Sequence, residues 1–322
     1  MKVLVAPDSF KGTFSAAEAA GAIARGLRAG GLDSVELPVA DGGEGTMDVL
    51  ARAFGAEHRT ATVSDPLGRP VEAAFAVLPD GATAIVEAAQ ASGLGLVAEG
   101  ERDAYAASTR GTGELIAAAA QAGAATVLVT VGGSATTDGG AGALEALEEA
   151  GVSPLLEVLC DVRTAWEDAP RVFAPQKGAD PETVRRLEVR LGELAAGAPR
   201  DPRGVPMTGA AGGLSGGLWA HRGAKLLAGA AHVLDAIGFD ERMREAGFVV
   251  TGEGCLDRQT LQGKVVGELA TRCRQAGVTC HAVVGRNDLE RFETRILDLE
   301  SVTEASTLGE LEVAGRALAG TV

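Results

Sequence analysis

Val129 to Leu144 reads VTVGGSATTDGGAGAL, and the reading of this stretch decides the fold. A β-branched apolar run, Val127 to Val131, meets Gly132-Gly133-Ser134. Thr136, Thr137, Asp138, Gly139 and Gly140 follow, and then an Ala/Leu/Glu helix pattern. The order is strand, glycine turn, helix. Glycine lets the backbone turn sharply and approach a ligand closely. The free N–H groups at the start of the next helix favour an anion. Ser134, Thr136 and Thr137 add hydroxyls, and Asp138 adds a carboxylate able to hold a metal or take a proton. Alone, such a Gly-Gly pair is more often an ordinary strand-to-helix turn; recurrence along the chain gives it weight.

Working outward, the same chemistry returns at other strand-like ends. They are PDSFKG (7–12), ADGGEGT (40–46), CDV (160–162) and TGEGCLDRQTLQGK (251–264). In open α/β sheets, ligands sit outside the carboxyl ends of the strands. Loops there that combine glycine, hydroxyl and carboxylate point to a phosphorylated ligand with a divalent cation. Glycine N–H groups meet phosphate oxygens, and carboxylates take Mg²⁺, usually one or two per ion. Lys11, Lys177 and Lys264 are candidates to neutralise a transferring group. None of these loops is a P-loop, and none is a Rossmann fingerprint after the first strand.

The pattern predicts a fold as well as a site. Lys2 to Ala6 and Val35 to Val39 read as strands, each followed by a glycine/acid turn and a helix, the first helix opened by a Ser15/Glu18 capping box. Arg59 to Glu87 looks like an antiparallel meander with a turn at Pro79-Asp80-Gly81. Gly197 to Gly217 reads as a long glycine- and proline-rich loop. From Gly247 the chain returns to plain α/β alternation. We therefore expect two α/β domains: a parallel-sheet domain built from both chain ends (1–62 with 240–322) and an inserted mixed α/β domain (63–239).

With 322 residues and 46% hydrophobic content, the chain is long enough to bury a sizeable core. Its net charge of −15 argues against nucleic acid or an anionic membrane as partner. The four cysteines (160, 255, 273, 280) are scattered and suggest neither a zinc site nor a disulfide framework. The first residues carry too short an apolar run for a signal peptide, so the cytoplasm is the expected compartment.

APDSFKG (6–12), ADGGEGT (40–46), SDPLGRPVEA (64–73), STRGTGELI (108–116), VGGSATTDGGAG (131–142), FAPQKGA (173–179), GAAGGLSGGL (209–218) and VTGEGCLDRQTLQGK (250–264) resemble, in order, the bacterial glycerate kinase family, the group that includes the glycerate 2-kinases. The resemblance implies ATP-dependent phosphorylation of D-glycerate with Mg²⁺, 2-phosphoglycerate being the favoured product. It also implies a flavodoxin-like domain beside a second α/β domain, with the active site in the cleft between them. Lys11, Asp41, Asp138 and Lys264 are then expected to be catalytic. Ser9, Gly42, Gly43, Glu44, Gly132, Gly133, Ser134, Thr136, Gly212, Gly213 and Gln259 are expected to contact substrate or nucleotide, and Asp138, Glu253 and Asp257 to hold Mg²⁺. D-glycerate and ATP are the implied partners, with homodimerisation left open. The alternative is a non-catalytic sensor derived from such a kinase. The chain departs from the family pattern in a shortened stretch at Val152 to Val158, in Arg163-Thr164 after CDV, and at Thr137, Ala174 and Cys255.

Overall fold

The computed structural model describes residues 2–10, 12–262 and 264–321. The chain opens with β1 (Lys2–Pro7), α1 (Ala16–Ala29) and β2 (Asp33–Glu36). Next come α2 (Thr46–Phe54), β3 (Glu57–Ser64), β4 (Pro70–Val77), β5 (Thr83–Glu87), α3 (Ala89–Ser92), α4 (Arg110–Gln121), β6 (Thr126–Thr130), α5 (Ala141–Glu149) and β7 (Leu155–Cys160). They are followed by α6 (Ala169–Phe173), α7 (Pro181–Gly197), α8 (Leu214–Arg222), β8 (Lys225–Ala228), α9 (Gly229–Ala236) and α10 (Phe239–Arg244). The last elements are β9 (Phe248–Gly252), β10 (Cys255–Leu256), α11 (Val265–Ala276), β11 (Cys280–Val284), β12 (Arg286–Asn287), α12 (Arg291–Ile296), β13 (Ser301–Glu304) and α13 (Leu308–Ala319). They form two compact units, Met1–Asp41 with Ala230–Val322 and Gly42–Gly229.

The first unit holds a five-stranded sheet of order β13-β11-β9-β1-β2, parallel throughout. Counted within the unit, that order is 5-4-3-1-2, the flavodoxin-like doubly wound arrangement. Its central strands β9 and β11 are buried at every residue, which is why each carries an apolar run, Phe248-Val249-Val250 and Ala282-Val283-Val284. The Ser15/Glu18 capping box forms as the sequence predicts. Val35 to Val39 was expected as the second strand, but regular pairing stops at Glu36. Pro38 has no N–H, yet Leu37 N still donates to Val5 O and Val39 N to Pro7 O, so the chain stays beside β1.

The second unit holds a six-stranded mixed sheet of order β3-β4-β5-β6-β7-β8. β3, β4 and β5 pair antiparallel, which is the meander read from the sequence, and β5 to β8 pair parallel. Leu115 and Ile116 of α4, Val127 and Val129 of β6 and Leu147 of α5 share its core.

Two expectations need moving. The chain passes into the second unit at 41/42 and leaves it at 229/230, not near 62 and 240. The reason is pairing: β3 hydrogen-bonds along its whole length to β4, so α2 and the turn from Gly42 to Thr46 go with it, while Ala40 and Asp41 stay with the first unit. The long loop expected at 197–217 is also shorter. A tight turn at Ala210–Gly213 and α8 occupy its second half, and Thr208 and Ala210 are fully buried. No helix among the described residues is long and apolar enough to cross a membrane.

Candidate functional site

In the first unit, β1 and β9 are adjacent, and from them the strand order runs in opposite directions, from β1 to β2 and from β9 to β11. This is the switch point, where a doubly wound sheet opens a crevice. A cavity of about 370 Å³ lies there, lined by Asp8, Ser9 and Phe10 after β1 and by Glu253, Gly254 and Cys255 after β9, with Asp41, Lys264 and Arg286. The Asp8 carboxylate accepts from the N–H of Ser9 at 2.6 Å.

Glu253 is buried, and Thr260 donates its hydroxyl proton to Glu253 Oε1 at 2.6 Å. Burial pushes this carboxyl up to about 7; the Thr260 bond and the Lys264 charge pull it down, while Asp257 and Asp41 add to the rise. Lys264 Nζ stands 3.9 Å from Glu253 and 3.8 Å from Asp257, beyond hydrogen-bond distance from both, so its donors remain able to turn to an anionic ligand. Asp257 is held by the N–H of Gln259 at 2.8 Å. Gln259 itself is exposed and does not line the cavity. Lys11 lies outside the described residues. Burial pushes the Cys255 thiol up, away from the reactive thiolate.

The second unit carries the glycine loops. Gly42-Gly43-Glu44 and Gly132-Gly133-Ser134 lie back to back: a Cβ on Gly132 would fall 2.4 Å from Gly43 Cα and 3.2 Å from Glu44 N. Only glycine permits that approach. Glu44 reaches over the second loop, since a Cβ on Gly133 would stand 3.3 Å from Glu44 Oε2. Gly212 closes on the same loop, its own Cβ position 2.1 Å from Thr136 O, and Gly139 N donates to Gly212 O at 3.1 Å. Gly213, the next residue, is left-handed and starts α8. The hydroxyls of Thr136 and Thr137 are buried with no hydrogen-bond partner among the described residues.

Asp138 is the best-satisfied group of the set. Its Oδ2 accepts from Thr109 N and Thr109 Oγ1, both at 2.8 Å, and from Gly142 N at 3.2 Å; its Oδ1 accepts from Gly140 N at 3.0 Å. It therefore caps α5 and ties it to the start of α4.

Sequence reading passed over Glu87 and gave Lys177 only a general role. Lys177 is buried, donating to Ser134 Oγ at 3.0 Å and Thr136 O at 2.6 Å. Glu87, buried at the end of β5, accepts from Gly45 N at 3.0 Å and Met47 N at 3.2 Å. Like the Asp161 of CDV (160–162), Glu87 is an acid at the end of a buried strand, which is the local signal that marks it.

The expected residues thus divide by unit. Ser9, Asp41, Glu253, Asp257, Gln259 and Lys264 belong to the first, and Gly42, Gly43, Glu44, Gly132, Gly133, Ser134, Thr136, Asp138, Gly212 and Gly213 to the second. No cluster of three or more His, Cys, Asp or Glu able to hold a metal occurs among the described residues. Mg²⁺ needs only one or two carboxylates when phosphates and water complete its shell. Buried Glu253, raised in part by Asp41 and Asp257, fits such an ion.

A doubly wound sheet with an acid-lined switch-point cavity, in one chain with a mixed sheet bearing stacked glycine loops, defines a two-unit α/β protein. The profile of the Glycerate kinase family matches residues 3–153 and 152–312. A glycerate kinase of Bacillus subtilis (strain 168) is 40% identical over 327 aligned positions, covering 88% of this chain and 85% of the relative. A glycerate 2-kinase of Escherichia coli (strain K12) is 38% identical, covering 82% and 80%. The crystal structure of a protein assigned as glycerate kinase 2 in Salmonella typhimurium LT2 superposes with a TM-score of 0.81 at 33% identity, covering 100% of this chain and 98% of that one. The chain belongs to the glycerate kinase family. The two matched segments meet at Val152–Ser153, between α5 and β7, where the sequence reading places the shortened stretch.

Proposed function

We propose that this protein transfers the γ-phosphoryl group of ATP to D-glycerate, giving 2-phosphoglycerate. The observation that carries the reading is the switch-point cavity, where buried Glu253, Asp41, Ser9 and the loosely held Lys264 share one space. Phosphoryl transfer asks a protein mainly to position groups and stabilise charge. Lys264 meets phosphate or the glycerate carboxylate, and Ser9 orients the acid through its hydroxyl. Asp41 takes the proton of the attacking hydroxyl. Glu253, with Asp257, would hold a Mg²⁺ arriving with ATP, and that ion would supply neutralisation of phosphate charge. The Gly132–Ser134 and Gly212-Gly213 loops supply N–H donors to phosphate oxygens. Asp138 braces the starts of α4 and α5 through its four hydrogen bonds. The cytoplasm, where ATP is abundant, is the compartment that suits this chemistry.

The test is incubation with ATP, Mg²⁺ and D-glycerate, followed by NMR of the product. ADP with 2-phosphoglycerate is expected. Phosphorus on the 3-position would overturn the regiochemistry alone. Free phosphate without a phosphoglycerate would mark a hydrolase, and glycerate binding without ADP would mark a sensor.

A further inference from the structure

The helix that follows the ADGGEGT turn lacks a cap of its own. Gly45 is its N-cap, left-handed at φ 89°, and has no side chain to meet the free N–H groups of the first turn. Those groups are met from elsewhere. Both oxygens of Glu87 accept from Gly45 N, at 3.1 and 3.0 Å, and Oε2 also accepts from Met47 N at 3.2 Å. The side chain is buried at the carboxyl end of β5. The turn is closed further by Gly42 N donating to Thr46 Oγ1 at 3.2 Å.

This turn has no slack. Its Gly43 lies against Gly132, and its Glu44 extends over Gly133. A shift of the turn therefore moves Glu44 with respect to the Gly132–Ser134 loop. We propose that Glu87 is a positioning residue for the reaction: through the main-chain N–H groups of Gly45 and Met47 it fixes the Gly42–Thr46 turn, and with it the carboxylate of Glu44. The inference rests on the reading that this turn serves a glycerate kinase.

The charge of Glu87 is essential to the role. Two acceptor oxygens face only N–H donors, so a proton or an amide hydrogen on either one would oppose a donor. The charged side chains acting on Glu87 are Asp48 of α2 and Glu44 of the turn, both acidic. With burial, which is the larger cause, they bring its carboxyl up to about 7.

Glu87→Gln tests the idea, because it keeps shape and removes one acceptor. Amide hydrogen exchange over residues 42–50 should quicken by roughly tenfold, with β6 and β7 unchanged. KM for glycerate or ATP should rise by about tenfold while kcat changes by less than about threefold. The acid limb of wild-type kcat/KM between about pH 6 and 8 should be shallower in the variant, which keeps only the titration of Glu253 in that range. Exchange and pH profile superimposable on wild type would overturn the proposal. Should the variant fail to fold, wild-type exchange decides. The Gly45 and Met47 N–H bonds hold the carboxyl below where burial alone would put it, so an opening that breaks them while Glu87 stays buried is favoured as it takes up a proton; protection of Gly45 and Met47 should then fall relative to β6 on going from about pH 8 to 6, and constant protection would sink it. If the wild-type protein does not phosphorylate glycerate, the functional reading fails, while exchange still reports on Glu87.

Discussion

The ammonium of Lys177 is buried with two neutral acceptors, Ser134 Oγ and the Thr136 carbonyl. Burial pushes it down to about 7, against the pull of Asp138 and Asp161. An unfolded lysine keeps its proton to about pH 10.4, so between the two values the unfolded chain binds more protons. Stability contributed by this site therefore rises as pH increases from about 7 to 10. Thermal melts at both ends of that range should show a smaller alkaline gain for Lys177→Met than for wild type. Parallel pH dependences would show that the ammonium is not desolvated as described. Asp138 gives the second prediction at this scale. Asp138→Asn keeps the oxygen facing Thr109 but turns an amide N–H₂ towards the N–H of Gly140. A loss of roughly 1–3 kcal/mol in denaturant unfolding is expected for a buried donor left unmatched. The Mg²⁺ concentration for half-maximal activity should stay as in wild type, since Asp138 acts as a brace; a marked rise would make it a metal ligand.

Between the elements, the two glycine turns meet backbone to backbone, a Cβ on Gly132 falling 2.4 Å from Gly43 Cα. A methyl at Gly132 collides with backbone rather than with a side chain able to swing away. Gly132→Ala should therefore cost about 1–3 kcal/mol and depress activity together with stability. Gly309, in the first turn of α13, has ordinary φ and nothing within 4 Å of its Cβ position. Gly309→Ala should be neutral or stabilise by about 0.4–1 kcal/mol. Equal effects at the two sites, measured by the same melts, would refute the packing argument. The contrast also shows what a sequence can tell at this scale. Strands β1, β6, β9 and β11 were legible because a buried parallel strand reads as an apolar run ending in a glycine/acid turn. The buttresses were not. Glu87 meets Gly45 and Met47 across 42 and 40 residues, and Lys177 meets Ser134 and Thr136 across 43 and 41. The strand-end position marks Glu87 as a candidate, but nothing local names its partners or those of Lys177, because a buried charge gains them only when the sheet brings distant loops together.

For the molecule as a whole, alternation of strand, turn and helix predicted a parallel sheet from both chain ends with a second unit between, and the sheet orders agree with that fold. The crossing points were harder to place, because ADGGEGT lies between a strand of one sheet and a helix of the other unit with no change in composition to mark it. The structure places the ends of the second unit side by side: a Cβ on Gly42 would lie 2.8 Å from Gly229 Cα. That is the geometry expected of an inserted domain, whose ends must meet. The segment Gly42–Gly229 contains all six strands of its sheet and its own apolar core. Expressed alone, it should fold and melt in a single cooperative transition, with a mixed α/β far-ultraviolet spectrum. It should not turn over ATP and glycerate, since Asp41, Glu253 and Lys264 stay behind in the first unit. A fragment extended to begin before β1 should gain no cooperativity, because β1 pairs with β2 and β9 rather than with any strand of this sheet. A Gly42–Gly229 fragment that lacks a cooperative melt would show that the second unit draws stability from residues outside those limits.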